Sequence, residues 1–107
     1  MTHSLIKIIT WDSNAKITQE EAEARLHTEG YRAFRWHDVP GSAYPRHKHE
    51  TDDCFWVING EVVFTVEDTQ YKLKSGDRLY IPARILHSSE VSSATGATYL
   101  VGEKTTA

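Results

Sequence analysis

The sequence predicts a mainly β protein, folded as a sandwich or a barrel and preceded by one short helix. Apolar and polar side chains alternate with a period of two from Tyr31 onward, as they do in half-buried strands. Turn residues interrupt these runs about every 8–12 residues, a spacing typical of sandwiches and barrels. A chain of 107 residues fits one domain. We therefore expect a single domain over residues 1–107, with an N-terminal arm and helix in residues 1–30 and a barrel in about 31–102.

The N-terminal segment predicts an arm or an edge strand that is followed by the helix. Leu5–Ile9 and Trp11 form two short apolar patches, which fit an edge strand or an arm. Thr18-Gln-Glu-Glu21 matches a capping box, and Ile17 before it is placed to pack on the first part of the helix. Good helix formers follow, and Gly30 is well placed to end the helix.

The predicted strands come after the helix. The first begins at Tyr31, and the Pro40-Gly41 pair then turns the chain. Asn59-Gly60, the strongest short signal for a hairpin, is expected to join two neighbouring strands. Further strands are predicted at Cys54–Ile58, Glu61–Glu67, Tyr71–Leu73, Leu79–Ile81 and Ala97–Val101.

Charge and composition exclude several classes of protein. The net charge of −3, from 12 Lys+Arg against 15 Asp+Glu, lacks the basic footprint of a nucleic-acid binder. No apolar run is long enough for a membrane span or an ordinary signal peptide. The one cysteine, Cys54, cannot form an intrachain disulfide, which is compatible with a reducing cytoplasm. We therefore expect a cytoplasmic protein without nucleic-acid or membrane partners, in which Cys54 is a small buried apolar side chain.

The segment between Gly41 and Gly60 holds the clearest chemical signal. His47 and His49 stand at alternate positions, so on a strand both side chains point to one face. Asp53 follows four residues later, and two neutral imidazoles that converge with a carboxylate suit a borderline-hard metal ion. The three histidines that match no motif position are expected to face solvent: His3, His27 and His37.

This segment resembles the first motif of the cupin superfamily. That motif reads Gly, five residues, His-x-His, three or four residues, Glu, six residues, Gly. The present chain has Gly41, five residues, His47-Lys-His49, three residues, Asp53, six residues and Gly60. Every spacing fits, and one residue differs, because Asp53 stands where the family usually has glutamate.

A second segment resembles the second cupin motif, which reads Gly, five residues, Pro-x-Gly, two residues, His, three residues, Asn. Here Gly76 is followed by five residues, Pro82-Ala-Arg84, two residues, His87, three residues and Val91. Arg84 replaces the motif glycine, and Val91 replaces the asparagine. Two spaced motifs in the correct order are a specific signal, and the chain resembles a small single-domain cupin. Arg84 is then either a surface arginine or a group at the rim of the site that recognises a carboxylate or a phosphate.

The resemblance implies a double-stranded β-helix, or jelly-roll, barrel with one metal ion inside its mouth. The ligands would be His47, His49, His87 and the carboxylate of Asp53. Three imidazoles and one carboxylate, with open positions for water or substrate, suit Fe(II), Mn(II), Ni(II) or Zn(II). Aspartate reaches roughly 1.5 Å less far than glutamate. Asp53 is therefore expected to ligate the ion directly or, alternatively, to hold a bridging water beside it.

The resemblance leaves three functions open, since one fold hosts many activities. The first is a metal-dependent enzyme acting on a small molecule. A dioxygenase-type reaction is favoured over an isomerase, because it needs the least help from protein side chains. The second is a non-catalytic module that binds or senses a sugar or an organic acid. The third is a metal-free barrel, to which the departures at Asp53, Arg84 and Val91 point. Small cupins commonly dimerise, and Trp36 and Trp56, both on outward-facing parities, predict a homodimer.

Overall fold

The protein consists of nine strands and one helix across residues 6–11 and 15–105, the part of the chain that the computed structural model describes. In chain order the elements are β1 (Lys7–Ile9), α1 (Gln19–Thr28), β2 (Tyr31–Asp38), β3 (Ala43–His47), β4 (Asp53–Asn59), β5 (Glu61–Val66), β6 (Thr69–Lys74), β7 (Arg78–Ile81), β8 (His87–Val91) and β9 (Ala97–Lys104). Within these residues, no helix has the length and apolar content needed to cross a membrane.

Two antiparallel sheets pack face to face and form the jelly-roll barrel that was predicted. The five-stranded sheet has the order β1-β7-β4-β9-β2, and the four-stranded sheet has the order β3-β8-β5-β6. Most neighbours in these sheets are distant in sequence, as β2 and β9 are. The first predicted apolar patch forms the edge strand β1, which pairs with β7. Leu5, at the start of that patch, lies outside the described residues.

Apolar side chains from both sheets fill the space between them. Phe55 and Val57 of β4 share one buried cluster with Val62 and Phe64 of β5. The rings of Phe55 and Phe64 lie 4.7 Å apart between centroids. These residues follow the period-two alternation that predicted the strands. The core reaches the candidate site, since the ring of Phe55 lies 5.8 Å from that of His87.

Helix α1 covers the outer face of the five-stranded sheet. Thr18 caps its first turn, and the side chain of Glu21 completes the predicted capping box. Gly30, with a φ of +92°, follows the C-cap and ends the helix as predicted. Leu26 is fully buried in the same cluster as Trp56 of β4. Strand β4 is therefore buried on both of its faces, which anchors the segment that begins at the predicted site.

Burial beneath the helix confirms the prediction for one residue and contradicts it for another. Cys54 is fully buried in the outer cluster, as predicted, and burial raises the pKa of its thiol to about 12. Trp56 is only 1% exposed, so the expectation that it offers a dimer surface is wrong, because α1 already covers it. Trp36 is 47% exposed, but it lies on the inner face of β2, so the outward-facing parity predicted for it is also wrong. The homodimer stays a prediction, and it now depends on the exposed residues of β2.

The hairpin predicted at Asn59-Gly60 is wrong. Strands β4 and β5 lie in different sheets, so the chain crosses from one sheet to the other at this turn. Strand β4 pairs with β7 on one edge and β9 on the other, which leaves no edge for β5. A hydrogen-bonded pair of consecutive strands forms one turn later, between β5 and β6. The dipeptide marks a real turn, but long-range pairing decides which strands it connects.

Candidate metal centre

Three histidines from the two motifs converge beside β3 and β8. His47 ends β3 and lies opposite His87, the first residue of β8, in the antiparallel pairing. His49 follows just beyond the end of β3, and its ring centre lies 4.8 Å from that of His47 and 5.1 Å from that of His87. One ring nitrogen of each histidine lies within 4.8 Å of those of the other two. The two sequence motifs therefore meet in space.

A backbone hydrogen bond between the motifs supports this convergence. The N–H of Arg84 donates to the carbonyl of His49 at 2.8 Å. Arg84 has a φ of +64°, in the left-handed region that glycine adopts most readily. The turn thus keeps the left-handed backbone of the motif glycine, although an arginine stands at this position. That side chain is exposed, lies 3.5 Å from Glu50 and does not line the cavity beside the histidines. The geometry supports the surface interpretation of Arg84.

Each histidine uses its Nδ1 atom for a contact within the protein. His47 Nδ1 lies 2.7 Å from the carbonyl oxygen of Pro45, and His87 Nδ1 lies 3.0 Å from that of Ile85. Nδ1 of His49 contacts a carboxylate. A carbonyl oxygen only accepts, so His47 and His87 carry their hydrogen on Nδ1 and a lone pair on Nε2. Contacts of this kind orient metal-binding imidazoles, so the donor set suits a divalent ion held through Nε2.

The Nε2 atom of His87 has no partner inside the described protein. His87 is 2% exposed. Its Nε2 is the one buried side-chain nitrogen or oxygen, among residues 6–11 and 15–105, that makes no hydrogen bond. Leaving such a group unpaired costs about 1–3 kcal/mol. Burial also lowers the pKa of His87, so its imidazole is neutral at pH 7 and able to bind a cation. The residues present fit a metal ion.

Asp53 lies next to the three histidines but outside their group. It is the first residue of β4 and is 2% exposed. One carboxylate oxygen accepts a hydrogen bond from the hydroxyl of Thr51 at 2.6 Å, and the other contacts Nδ1 of His49. This arrangement is that of a carboxylate that orients a metal-binding histidine. Direct ligation by Asp53 stays a prediction, and the geometry favours a supporting role beside the ion.

A cavity of about 450 Å³ opens beside the histidines. Its wall is largely aromatic and is built by side chains from both sheets. Apart from the three histidines, the lining residues are Phe34, Trp36, Tyr44, Phe55, Phe64, Ser89, Tyr99, Val101 and Glu103. Within the part of the chain that is described, no lysine or arginine belongs to this lining. Cavities of this size and character are typical of small-molecule sites in proteins.

A buried carboxylate, Asp38, fixes part of the aromatic wall. It accepts hydrogen bonds from the hydroxyls of Tyr44 at 2.7 Å and Tyr99 at 2.6 Å. It also accepts one from the indole N–H of Trp36 at 3.1 Å. Burial, together with the bond to Asp38, raises the pKa of Tyr99, so this phenol stays un-ionised at neutral pH. Both tyrosine hydroxyls are therefore held as donors within the protein.

Two carboxylates near the cavity, those of Asp38 and Glu103, were not singled out from the sequence. Asp38 shares the inward parity of Trp36, and Glu103 shares that of Val101. A charged residue on the apolar face of an alternating strand is the signal that could have found them. Glu103 was also missed because the last strand was predicted to end at Val101, whereas β9 continues to Lys104.

The remaining histidines lie apart from the site. His27 is exposed on α1. His37 is exposed on β2, and its Nδ1 lies 2.8 Å from the hydroxyl of Thr98. The prediction that these two face solvent is confirmed, and His3 lies outside the described residues.

A second cavity, of about 600 Å³, lies against the outer face of the five-stranded sheet. Its central polar groups already satisfy one another. Arg78 pairs with Glu29 at 3.1 Å and donates a hydrogen bond to the hydroxyl of Tyr80 at 3.0 Å, and its guanidinium lies 4.1 Å from the ring centre of Trp56. None of these groups belongs to a metal-binding cluster in the described residues. Within the described residues, the candidate metal-binding group therefore lies at the histidine cavity and not here.

A match to a family model shows the family to which the chain belongs. A family model described as a cupin domain matches residues 34–102, which is more than half of the chain. The chain belongs to the cupin domain family. Among curated proteins, an uncharacterised protein of Methanocaldococcus jannaschii is 31% identical over 51 residues, which cover 47% of this chain and 41% of that protein. The match thus spans less than half the length of that relative.

Solved structures share the fold at low sequence identity. A cupin superfamily protein from Desulfitobacterium hafniense has a TM-score of 0.63 at 14% identity, over 94% of this chain and 78% of that chain. The polyketide cyclase RemF from Streptomyces resistomycificus has a TM-score of 0.61 at 19% identity, over 68% and 53% of the two chains. A structure of DMSP lyases gives 0.63 at 21% identity, over 70% and 38%. At these identities the likeness shows the fold alone.

Proposed function

We propose that this cupin is a metal-dependent enzyme that acts on a small molecule held in the aromatic cavity. The observation that supports this most directly is the buried and unpaired Nε2 of His87. This histidine groups with His47 and His49, and all three line the cavity. Buried polar groups are almost always hydrogen-bonded, so a purely structural histidine would have a partner for both ring nitrogens. A cation bound by the three imidazoles provides that partner.

The protein's own residues prepare the site. His47, His49 and His87 would hold the ion through Nε2, and Asp53 would orient His49 through its Nδ1. When bound, a divalent ion such as iron, manganese, nickel or zinc supplies Lewis-acid or redox chemistry at its open positions. The Nδ1 contacts keep the imidazoles in one tautomer, and the aromatic wall keeps water away from a bound substrate.

A dioxygenase-type reaction is the class that the cavity suits best. The hydroxyls of Tyr44 and Tyr99 donate to Asp38, so neither is free to act as an acid or a base toward a substrate. The wall therefore serves mainly to bind and orient the substrate. A dioxygenase-type reaction requires little more than this from the protein side chains. The neighbours of stated activity, a polyketide cyclase and DMSP lyases, support a small-molecule substrate.

Metal analysis of protein purified without a chelator tests the proposal. We expect close to one equivalent of metal in the wild type, and less than about a tenth of an equivalent in His87→Ala. His27→Ala, which removes an exposed histidine of α1, is the matched control and should keep the metal. A wild-type protein that takes up none of iron, manganese, nickel and zinc would contradict the proposal.

A non-catalytic binding module is the second candidate, and the aromatic wall favours it because such walls also stack on sugar rings. An organic acid fits less well, since the described lining contains no lysine or arginine. Oxygen consumption with catechols, thiols and keto acids separates the two candidates. Tight binding of a small molecule without turnover across this panel would favour the module.

A further inference from the structure

We infer that the cavity selects small substrates that carry a cationic group beside an aromatic or apolar body. The inference rests on the proposed function only in taking this cavity as the place where the substrate binds. Three observations carry it: the position of Glu103, the aromatic wall, and a lining without lysine or arginine in the described chain.

Glu103 points into the cavity from β9. Tyr99, Val101 and Glu103 alternate along this strand, and all three line the cavity. The side chain of Glu103 is half-buried and makes no hydrogen bond or ion pair with any other described residue. A carboxylate that is partly removed from water is stabilised by a cation placed against it.

The charged residues around Glu103 leave its charge without a partner. Arg32 is its direct neighbour on β2, but the guanidinium lies over the ring of Phe34, at 5.3 Å from the ring centre. Asp53 is its direct neighbour on β4 and is also acidic. Lys104 projects to the opposite face of the sheet, where its ammonium donates to a backbone carbonyl. A positive group on a bound molecule would supply the missing contact.

The aromatic wall suits both parts of such a molecule. Phe34 and Trp36 are 41% and 47% exposed, respectively, and both line the cavity. Phe34 pairs with Val101, so it is the diagonal neighbour of Glu103, at roughly 7–8 Å between strands. The guanidinium of Arg32 already lies over Phe34, so Trp36 is the exposed aromatic side chain that can attract a cation, while Phe34 can pack against apolar groups. In the absence of the proposed ion, an anion in the same place would meet Glu103 and no opposing charge in the described lining.

Calorimetric titration of the purified protein with three probes tests the inference. Benzyltrimethylammonium is cationic, benzyl alcohol is neutral and benzenesulfonate is anionic, and none of them is a strong metal ligand. We expect the cation to bind about tenfold more tightly than the other two. Glu103→Gln should remove this preference, because it weakens binding of the cation and relieves repulsion of the anion while leaving the neutral probe unchanged, whereas Glu90→Gln, which changes an exposed glutamate of β8, should keep it.

Several results would overturn the inference. These are equal affinity for benzyl alcohol, a preference unchanged in Glu103→Gln, undetectable binding of the cation at millimolar concentration, and tightest binding of benzenesulfonate. The last of these would assign the selectivity to Arg32. The same titration in His87→Ala separates this inference from the proposed function. We expect this variant to lose the metal and to keep the preference for the cation, because Glu103 does not depend on the ion. A wild type that lacks metal yet prefers the cation would contradict the function alone, and one that holds metal without the preference would contradict the inference alone.

Discussion

At the scale of single residues, Asp53 shows how one methylene group can change the role of a carboxylate. The cupin motif usually has glutamate at this position, whereas the shorter side chain of Asp53 contacts His49 and Thr51. Both of its oxygens are engaged, and the residue is 2% exposed. We therefore expect Asp53 to be a positioning residue that acts through His49.

Two substitutions at this position distinguish positioning from ligation. Asp53→Ala should weaken metal affinity by about 10–100-fold, since His49 loses the group that orients it. Asp53→Asn should weaken it less than about tenfold, because the amide oxygen still accepts from Nδ1 of His49. Calorimetric titration of each variant with Zn(II) or Mn(II) measures both effects. If the asparagine variant is as weak as the alanine variant, the carboxylate itself ligates the ion.

The sequence could predict which residues meet, but not which atoms they present. His47 and His87 were predicted because both stand at motif positions, and motif spacing is a property of the sequence alone. The tautomer of each imidazole depends on the carbonyls of Pro45 and Ile85, which the folded backbone brings to Nδ1. The contact between Asp53 and His49 likewise depends on how the segment between two strands folds back.

At the scale of elements, the two glycines that frame the first motif have similar backbones and different surroundings. Gly41 has a φ of +82° and nothing within 4 Å of the place where a Cβ would stand. Gly60 has a φ of +88°, and a Cβ there would lie 2.2 Å from the carbonyl oxygen of Gly96. Both glycines lie where the chain passes from one sheet to the other, but only Gly60 packs closely against another segment, so its lack of a side chain permits that contact as well as the turn.

Alanine at each glycine separates these two effects. Gly41→Ala should lower the free energy of unfolding by about 1 kcal/mol, which reflects the left-handed backbone alone. Gly60→Ala should lower it by at least about 2 kcal/mol more, because the backbone around Gly96 must move. Urea denaturation at neutral pH gives both values. Equal losses in the two variants would show that the contact with Gly96 is not tight.

Prediction from sequence worked for elements that depend on their neighbours along the chain. The capping box at Thr18 and Glu21 needs residues only three positions apart, and it is present. The hairpin at Asn59-Gly60 failed because β4 already pairs with β7 and β9, which come from later parts of the chain. A local signal can mark a turn, but it carries no information about competition for the edges of a strand.

At the scale of the whole molecule, tyrosines that are buried or partly buried cause stability to fall as the pH becomes alkaline. Burial raises the pKa of Tyr31 to about 12, and it also raises the pKa of Tyr80 and Tyr99. In the unfolded chain a tyrosine titrates near about 10. Above that pH the folded state holds more protons than the unfolded state, so stability falls as pH rises. Below it these groups are neutral in both states and add no pH dependence.

Tyr99→Phe tests this dependence. The variant should lose about 1–3 kcal/mol at pH 7, because Asp38 loses a hydrogen bond. Its stability should then fall less steeply than that of the wild type between about pH 9 and 11. Val66→Ala, which weakens the same core without a titrating group, should fall as steeply as the wild type. Urea midpoints measured across this pH range test the prediction. If the midpoints of Tyr99→Phe and the wild type fall equally steeply with pH, Tyr99 does not contribute to the pH dependence.

The shape of the cavity could not be predicted from the sequence, because it depends on pairing across the whole chain. Trp36 faces Tyr99 only because β2 pairs with β9, and Asp38 accepts from Tyr99 across 61 positions. The fold class was predictable since alternation, turns and motif spacing agree with one another. The wall of the site was not, since its residues share no motif.

The placement of the tryptophans gives the protein two built-in optical probes. Trp56 is 1% exposed beneath the guanidinium of Arg78, so its emission lies to the blue and reports unfolding of the barrel. Trp36 is 47% exposed on the wall of the cavity, so we expect its emission to lie to the red of that of Trp56 and to change when a molecule occupies the cavity. Once the half-buried Trp11 is replaced by phenylalanine, stability and occupancy can therefore be followed in one sample at two wavelengths, without attaching any label.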